Sequence, residues 1–201
     1  ELAITYDTVS WVVSLGAWRC WGRAALKHLR ADSGGRVLDL AHGPGNLQAD
    51  LIGAGYRAVG LDLSSAMGQL ARSKLTRHGL PARLTQGRGQ ALPFAGAQFD
   101  AVVSTFPTEF IIDLLTLAEV YRVLRPGGRL VIVSSAVLTG GTWMGRVLEW
   151  LYQITGQRPQ IDDALQNEIT ARFEAIGFTL ETADERCPRS LVTVLMASKP
   201  D

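Results

Sequence analysis

The sequence predicts an α/β protein in which a mostly parallel sheet is flanked by helices. Short apolar runs at 37–40, 57–62 and 100–105 alternate with longer stretches of helical periodicity. Such alternation is typical of strand–helix–strand units that build a parallel sheet. The 201 residues, 47% of them hydrophobic, are enough for one domain over 1–201 with a sizeable core.

The chain is organised around Val37–Leu47, which predicts a buried strand, a small-residue turn and the start of a helix. Gly43 and Gly45 leave the turn without side chains, so a ligand can approach the backbone. In α/β proteins this position, at the carboxyl ends of the strands, binds nucleotide-like ligands. Asp39 would repel a pyrophosphate and attract an ammonium group, which favours a nucleoside that carries a cationic amino-acid tail.

Two other nucleotide motifs do not fit this segment. A triphosphate-binding loop would end in Gly-Lys-Ser/Thr, which is absent here. The dinucleotide pattern Gly-x-Gly-x-x-Gly fails at Gln48, so a nicotinamide-dependent oxidoreductase is a poor alternative. A glycine turn is a weak signal by itself, and a purely structural turn remains the other interpretation at this point.

A second buried strand strengthens the functional interpretation. Ala58–Leu63 is apolar except for Asp62, which follows Gly45 by 17 residues, and Ser64 is placed to cap the next helix. An acidic residue near this offset is how such folds bind a ribose diol through two hydrogen bonds. Together with the first motif, Asp62 indicates a nucleoside site rather than a solvated turn.

Five segments occur in the order, and at about the spacing, of class I S-adenosylmethionine-dependent methyltransferases. They are Val37–Leu47, Gly60–Met67, Gln90–Phe94, Phe99–Ser104 and Glu119–Val133. Over residues 35–135 the chain most resembles the ubiquinone/menaquinone-biosynthesis C-methyltransferases, which share Val-Leu-Asp-Leu-Ala, Ala-Leu-Pro-Phe and Tyr-Arg-Val-Leu-x-Pro-Gly-Gly-Arg-Leu. These motifs are specific for the fold and the cofactor and weakly informative about the substrate.

The resemblance implies a Rossmann-like, seven-stranded sheet of order 3-2-1-4-5-7-6 with only strand 7 antiparallel. It implies S-adenosyl-L-methionine as cofactor, S-adenosyl-L-homocysteine as product and no metal. Asp39 and the glycine turn would hold the methionine portion, Asp62 the ribose and Leu63 one adenine face, with Ser104 near the amino group. The full predicted cofactor site is Asp39, Ala41, His42, Gly43, Gly45, Asn46, Asp62, Leu63, Met67, Arg88, Gly89, Gln90 and Ser104.

Arg88 departs from the pattern of the family that the chain resembles. Relatives usually carry Asp or Asn at this position, where the side chain accepts a hydrogen bond from the adenine amino group. Arginine has no acceptor. Either Arg88 turns to solvent while the Gly89 N–H holds the ring, or Gln90 supplies the acceptor. We expect weaker recognition of the adenine. The alternative is that the site no longer binds the cofactor.

The outer segments are assigned by composition. Residues 1–30 predict an aromatic helix with Trp11, Trp18 and Trp21, interpreted as a lid over the core at 35–135. Packing on the sheet edge, or contact with an anionic bilayer through its basic residues, are the alternatives. A helix at 113–124 and a strand at 128–134 are predicted to be joined by a turn at Arg125–Gly128. Residues 137–177 predict a helical substrate cap or a buried helix, and 178–199 a C-terminal hairpin.

Charge and cysteine content narrow the partners. A net charge of +1 without a Lys/Arg cluster argues against nucleic acid. Cys20 and Cys187 lie far apart in sequence and are predicted to be unpaired cytosolic thiols. No apolar run is long enough to span a membrane and no signal peptide is visible, so a cytoplasmic protein, free or peripheral to the membrane, is expected.

The predicted reaction is transfer of a methyl group to a small, apolar or aromatic acceptor that resembles a quinone precursor. Methylation of a carbon or a hydroxyl also requires removal of a proton, and His42 and Glu109 are the candidate bases, since both are expected at strand ends that face the pocket. The alternatives are a phospholipid-headgroup or natural-product methyltransferase and a non-catalytic cofactor-binding regulator. The acceptor and the oligomeric state are left open.

Overall fold

The computed structural model describes residues 18–138 and 163–201, in which seven strands form one sheet. The helices are α1 (Trp18–Ala24), α2 (Asn46–Gly53), α3 (Ser65–Arg77), α4 (Leu114–Val123) and α5 (Asp163–Ile176), and short 3₁₀ helices span Ala25–His28 and Glu109–Ile112. The strands are β1 (Arg36–Leu40), β2 (Arg57–Asp62), β3 (Leu84–Gln86), β4 (Phe99–Thr105), β5 (Leu124–Leu138), β6 (Thr179–Cys187) and β7 (Ser190–Ser198).

The predicted topology is confirmed. The strands lie in the order β3-β2-β1-β4-β5-β7-β6, and β7 runs antiparallel to both β5 and β6 while the other pairs are parallel. The carboxyl ends of β1, β2 and β4 therefore meet at one edge of the sheet, where the sequence predicts the cofactor site.

Successive side chains of a strand point to opposite faces of the sheet. Helices cover both faces of the central strands, so the side chains on both faces are buried. Val37 of β1 packs with α1 and α2 through Trp21 and Leu51, whereas the next residue, Leu38, packs with α4 and α5 through Leu117 and Phe173. This two-sided burial explains why the strands are continuous apolar runs rather than alternating ones.

The helices that follow β1 and β2 begin at residues suited to the turn. Ser64 caps α3 by accepting a hydrogen bond from the Met67 N–H at 3.3 Å, as predicted. Gly45 begins α2 with φ +80°, and a Cβ there would lie 2.8 Å from Cβ of Ala71 in α3. Only glycine fits both the conformation and the close approach.

The segment Arg125–Gly128 corrects one prediction. We expected it to be a turn that joins a helix at 113–124 to a strand at 128–134, but Leu124 already pairs with Phe99 in β5 and Arg129 pairs with Ala101. The Pro-Gly-Gly segment is thus a bulge within one strand. Pro126 has no N–H to donate and Gly127 has φ +70°, so the chain leaves the ladder briefly and returns to it.

The cysteines correct a second prediction. Cys20 and Cys187 are not free thiols, because they form a disulfide with a Cα–Cα distance of 6.0 Å. Their sequence separation of 167 says nothing about their distance in space, since α1 packs against the β6–β7 hairpin. Trp21 reinforces this contact by donating its ring N–H to Ser190 Oγ at 2.7 Å.

Residues 1–17 of the predicted lid and residues 139–162 of the predicted cap lie outside the described residues. The part of the lid helix that is described, Trp18–Ala24 with the following 3₁₀ turn, is helical as expected. None of the described helices is long and apolar enough to cross a membrane.

Candidate functional site

A cavity of about 410 Å³ opens at the carboxyl edge of the sheet, over the ends of β1, β2 and β4. Eight of the residues that line it were predicted to bind the cofactor. They are Ala41, Gly43, Asp62, Leu63, Met67, Arg88, Gly89 and Gln90. Its other lining residues include Leu40, Pro44, Leu61, Gly87, Thr105, Phe106, Pro107, Thr108 and Phe110.

Asp62 is fixed at the centre of this site by the backbone. Its Oδ2 accepts the N–H of Gly43 at 2.8 Å, and its Oδ1 accepts the N–H of Ser64 at 2.8 Å. Each carboxylate oxygen can accept two hydrogen bonds, so one lone pair on each oxygen remains for a ligand. The same contacts join the glycine turn to the end of β2. A further hydrogen bond strengthens this connection, because Leu61 O accepts the Ala41 N–H at 2.7 Å.

The turn itself is wound in the left-handed region. Ala41 has φ +63° and Gly43 has φ +53°. A residue with a Cβ is disfavoured in this region by about 1 kcal/mol, and such conformations persist where the surrounding structure holds them. Because the hydrogen bonds to Leu61 and Asp62 hold the turn, its backbone is prearranged to face the cavity.

Asp39 lies just beneath the turn and is 1% exposed. Neither of its carboxylate oxygens has a hydrogen-bond partner among the described residues, and the amide of Gln48 lies near it without hydrogen-bond geometry. Burial raises the pKa of Asp39 to about 7, the nearby Gln48 amide opposes the rise, and the charge of Asp62 adds to it. This carboxylate is thus poised to ionise when a cation binds near it.

His42 faces a different, smaller cavity of about 190 Å³ that it shares with Asp62 and the start of α3. Its Nδ1 lies 2.7 Å from Gly43 O, so Nδ1 carries the proton and Nε2 is a buried acceptor without a partner among the described residues. Burial lowers the pKa of His42, which keeps the ring neutral. The ring lies close to Gly60, where a Cβ would come within 2.8 Å of it.

At the far end of the cofactor cavity, Gln90 is held by Asp113. Its Nε2 donates to Asp113 Oδ2 at 3.0 Å, and Asp113 also caps α4 by accepting the Leu115 N–H at 3.0 Å. The hydrogen bonds from Gln90 and Leu115 hold the pKa of Asp113 below its usual range. Because an ionised carboxylate can only accept, the Gln90 amide is oriented and its Oε1 is left as an acceptor.

Two exposed side chains flank this end of the cavity. Leu63 is 66% exposed, which is unusual for a large apolar residue, and Arg88 is exposed as well. Both line the cavity. An exposed leucine at the mouth of a cavity is a suitable surface for a planar ring.

The opposite end is bordered by aromatic rings. Phe106, with φ +49°, stacks on Trp18 at a centroid distance of 4.8 Å, and Trp21 lies 5.8 Å from the same ring. Thr105 belongs to the wall of this cavity and also to that of a neighbouring cavity of about 410 Å³, which Trp18 lines. We call Trp18, Thr105 and Phe106 the aromatic wall.

The remaining predicted residues, including Asp39 and His42, are not among the described residues that line the cofactor cavity. Ser104 is fully buried and donates its hydroxyl to Leu40 O at 2.7 Å. Asn46 lines the neighbouring cavity and accepts a hydrogen bond from Lys74 at 2.6 Å, and Gly45 packs on α3. Glu109 is exposed at the start of a 3₁₀ helix and does not line the cavity.

Sequence reasoning missed two contributors. Phe110 lines the cavity and Asp113 orients Gln90. The signals that could have identified them are the spacing of Phe106 and Phe110, four residues apart after a strand end, and the position of Asp113 as the N-cap of the next helix.

Comparisons with known proteins identify the family of this chain. A family model described as "Methyltransferase domain" matches residues 37–128. A demethylmenaquinone methyltransferase of Beutenbergia cavernae is 42% identical over 185 residues, which cover 88% of this chain and 75% of that protein. A ubiquinone/menaquinone biosynthesis C-methyltransferase of Geobacter sulfurreducens is 35% identical over 140 residues, which cover 67% of this chain and 55% of that protein.

Solved structures share the fold. A putative S-adenosyl-L-methionine-dependent methyltransferase of Methanococcus maripaludis superimposes with a TM-score of 0.69 at 18% identity, over 99% of this chain and 92% of that one. A phosphoethanolamine N-methyltransferase of Haemonchus contortus, solved with S-adenosylhomocysteine, gives a TM-score of 0.65 at 20% identity, over 92% of this chain and 53% of that one. The chain therefore belongs to the class I S-adenosylmethionine-dependent methyltransferases and resembles their ubiquinone/menaquinone-biosynthesis C-methyltransferase group.

Proposed function

We propose that this enzyme transfers the methyl group of S-adenosylmethionine to a ring carbon of a small, apolar, quinone-precursor-like acceptor. The observation that carries the proposal is the aromatic wall, which borders the cofactor cavity at Phe106 and Thr105 and continues into the neighbouring cavity at Trp18. Stacked aromatic side chains favour a flat apolar ring over a charged amine or headgroup. The names of the relatives at 42% and 35% identity point in the same direction.

The residues of the cavity fit the cofactor. In the proposal, the free lone pairs of Asp62 accept the ribose hydroxyls and the orphaned carboxylate of Asp39 balances the methionine ammonium. Leu63 covers one face of the adenine, and Gln90 Oε1 accepts its amino group. Arg88 then has no role as an acceptor and turns its guanidinium to solvent.

The sulfonium of the cofactor makes its methyl group strongly electrophilic, so the chain mainly has to position the acceptor and exclude water. Among the described residues that line the cavity, Asp62 is the one carboxylate, and it is committed to backbone N–H groups. We therefore propose that the acceptor's own ring oxygen supplies the electron density. The ring proton is lost to bulk water in a separate step, after the methyl group has been transferred. His42 and Glu109 stay predictions as bases, since neither lines this cavity.

The test is a methyl-transfer assay with the full chain, radiolabelled S-adenosylmethionine and a short-chain demethylmenaquinol, with the product identified by mass spectrometry. We expect label on the quinone ring. Phosphoethanolamine and phosphatidylethanolamine vesicles serve as the competing acceptors, and label on either amine would replace the proposal with headgroup methylation. Binding of S-adenosylhomocysteine without transfer to any acceptor would favour a non-catalytic protein.

A further inference from the structure

The Cys20–Cys187 disulfide lies next to the aromatic wall. Cys20 occupies the first turn of α1, two residues after Trp18, and Cys187 ends β6 at the tip of the β6–β7 hairpin. The disulfide thus connects the first described residues of the chain to its C-terminal hairpin, at the point where α1 reaches the site.

The two halves of this N-terminal helical segment are held by different means. Trp21, Ala24, Ala25 and Leu29 are buried in the core and Trp21 is hydrogen-bonded to Ser190, so this half does not need a covalent link. The first turn is held by side-chain contacts nearer the surface. Trp18 is half-buried and stacks on Phe106, and Arg19, which is 68% exposed, pairs with Asp50.

A shift of the first turn would reach the cavity through one stacked pair. Trp18 contacts Phe106 at a ring distance of 4.8 Å, and Phe106 lines the cofactor cavity in a left-handed conformation. A non-glycine residue keeps such a conformation only while its surroundings hold it. The position of Trp18 is therefore one of the constraints on the wall that faces the acceptor.

The disulfide is placed where a thiol reagent can reach it. Both cysteines are half-buried rather than enclosed, and Cys187 precedes the exposed turn Pro188–Arg189.

We propose that Cys20–Cys187 is a redox modification site whose state sets the affinity for the acceptor and leaves the cofactor site unchanged. In the exchange, a small dithiol attacks one sulfur, forms a mixed disulfide and then closes on itself. The protein gains two thiols, the dithiol becomes a cyclic disulfide, and two electrons and two protons pass to the protein. The effect on the acceptor rests on the proposed function, whereas the exchange and the loosening of α1 do not.

The experiment compares the oxidised chain with the chain reduced by dithiothreitol and alkylated with iodoacetamide. Cys20→Ser and Cys187→Ser are the matched variants without a disulfide. We expect amide hydrogen exchange in 18–28 to be about tenfold faster without the disulfide, with peptides of β1 and β2 as internal controls. The Kd of S-adenosylhomocysteine should stay within about twofold, while the KM of the acceptor rises about threefold or more at constant kcat.

Each outcome decides the matter. Equal hydrogen exchange in 18–28 and an equal KM in the two redox forms would overturn the proposal and leave a passive staple. A parallel change in the Kd of S-adenosylhomocysteine would also overturn it, because the loosening would then be global. If exchange differs and the cofactor binds but no acceptor is methylated, the redox site stands and the proposed function fails.

Discussion

The cofactor end and the aromatic wall of the same site are assembled in opposite ways. At the cofactor end, Asp62 bonds to Ser64 and Gly43, which lie 2 and 19 residues away. The aromatic wall depends on contacts between segments that are far apart in sequence. Trp18 lies on α1, and α1 is held by the hydrogen bond from Trp21 to Ser190, across 169 residues, and by the Cys20–Cys187 disulfide, across 167. One end is local and built from backbone, and the other is tertiary and built from side chains.

This difference indicates a division of labour. The cofactor is the same throughout the family, so a compact motif of strand ends and turns can hold it. The aromatic wall is joined through Trp18 to α1, which is linked to the β6–β7 hairpin, and these contacts can change without altering the backbone that holds Asp62. We therefore expect mutations at the two ends to have separable effects, on cofactor affinity at one end and on stability or acceptor binding at the other.

The largest effect should come from Asp62→Ala. This change removes both proposed hydrogen bonds to the ribose and releases the N–H groups of Gly43 and Ser64. Calorimetry should show weaker binding of S-adenosylhomocysteine by about 3 kcal/mol, or roughly 100-fold. Asp184→Ala is the matched control, since it removes an equal charge from the surface of β6. Unchanged affinity in Asp62→Ala would contradict the ribose assignment.

Asp39→Asn should lower affinity and raise stability. The pKa of Asp39 is raised to about 7 in the folded protein, so its ionised form is destabilising. The free-energy cost of keeping Asp39 buried is absent below about pH 4, where the carboxyl is protonated in both states. It grows as the carboxyl ionises in the unfolded chain and is complete above about pH 7, where the folded protein ionises as well. The variant's advantage in free energy of unfolding should therefore grow between these pH values by about 1.4 kcal/mol for each pH unit, which chemical denaturation would measure.

The same variant tests the role of Asp39 in binding. An ammonium group attracts only the ionised carboxylate, so the wild-type Kd of S-adenosylhomocysteine should rise about tenfold as pH falls from 7.5 to 5.5. In Asp39→Asn the Kd should be weaker at pH 7.5 and nearly independent of pH. A wild-type Kd that is flat over this range would show that Asp39 does not face the ligand's charge.

The same contrast explains what the sequence could predict. Asp62 and Ser64 follow from patterns within a few residues, namely an apolar run that ends in an acid and a cap before a helix. These features are local because strand ends and helix starts are determined by neighbouring residues. The strand order follows from the resemblance to the methyltransferase family and not from these local patterns. Eight of the thirteen residues predicted to bind the cofactor line this cavity, and their role in binding stays a prediction.

The errors fall where distant segments meet or where a single rotation matters. Cys20 and Cys187 could not be paired from sequence, because pairing depends on where α1 packs. His42 follows β1 as expected, but its ring faces a different cavity. Ser104 lies near the end of β4 as expected, but its hydroxyl donates to Leu40 O. A strand pattern specifies the end of the sheet that a residue occupies, and side-chain direction there depends on the turn.

We call the contact between α1 and β7 at the Trp21–Ser190 hydrogen bond the clamp. Ser190→Ala should lower the free energy of unfolding and leave the cofactor site unchanged. The change leaves the buried ring N–H of Trp21 without its acceptor, which costs about 1–2 kcal/mol. Denaturant unfolding should show this loss, and the Kd of S-adenosylhomocysteine should stay within about twofold of wild type. Trp21→Phe completes a double-mutant cycle, because the second change removes the donor. A cycle without coupling would mean that the hydrogen bond does not stabilise the clamp.

The smallest expected effect tests whether Gln90 or Arg88 is the side chain that contacts the adenine. S-inosylhomocysteine carries a ring carbonyl in place of the amino group, so the acceptor Oε1 of Gln90 should reject it and a donor such as Arg88 should prefer it. We expect wild type to favour S-adenosylhomocysteine by about tenfold, or roughly 1.4 kcal/mol, in competition calorimetry. Gln90→Leu should abolish this preference while Arg88→Ala leaves it intact. A wild-type preference for the inosyl ligand would assign the contact to Arg88, and Asp113 would then have no part in recognising the base.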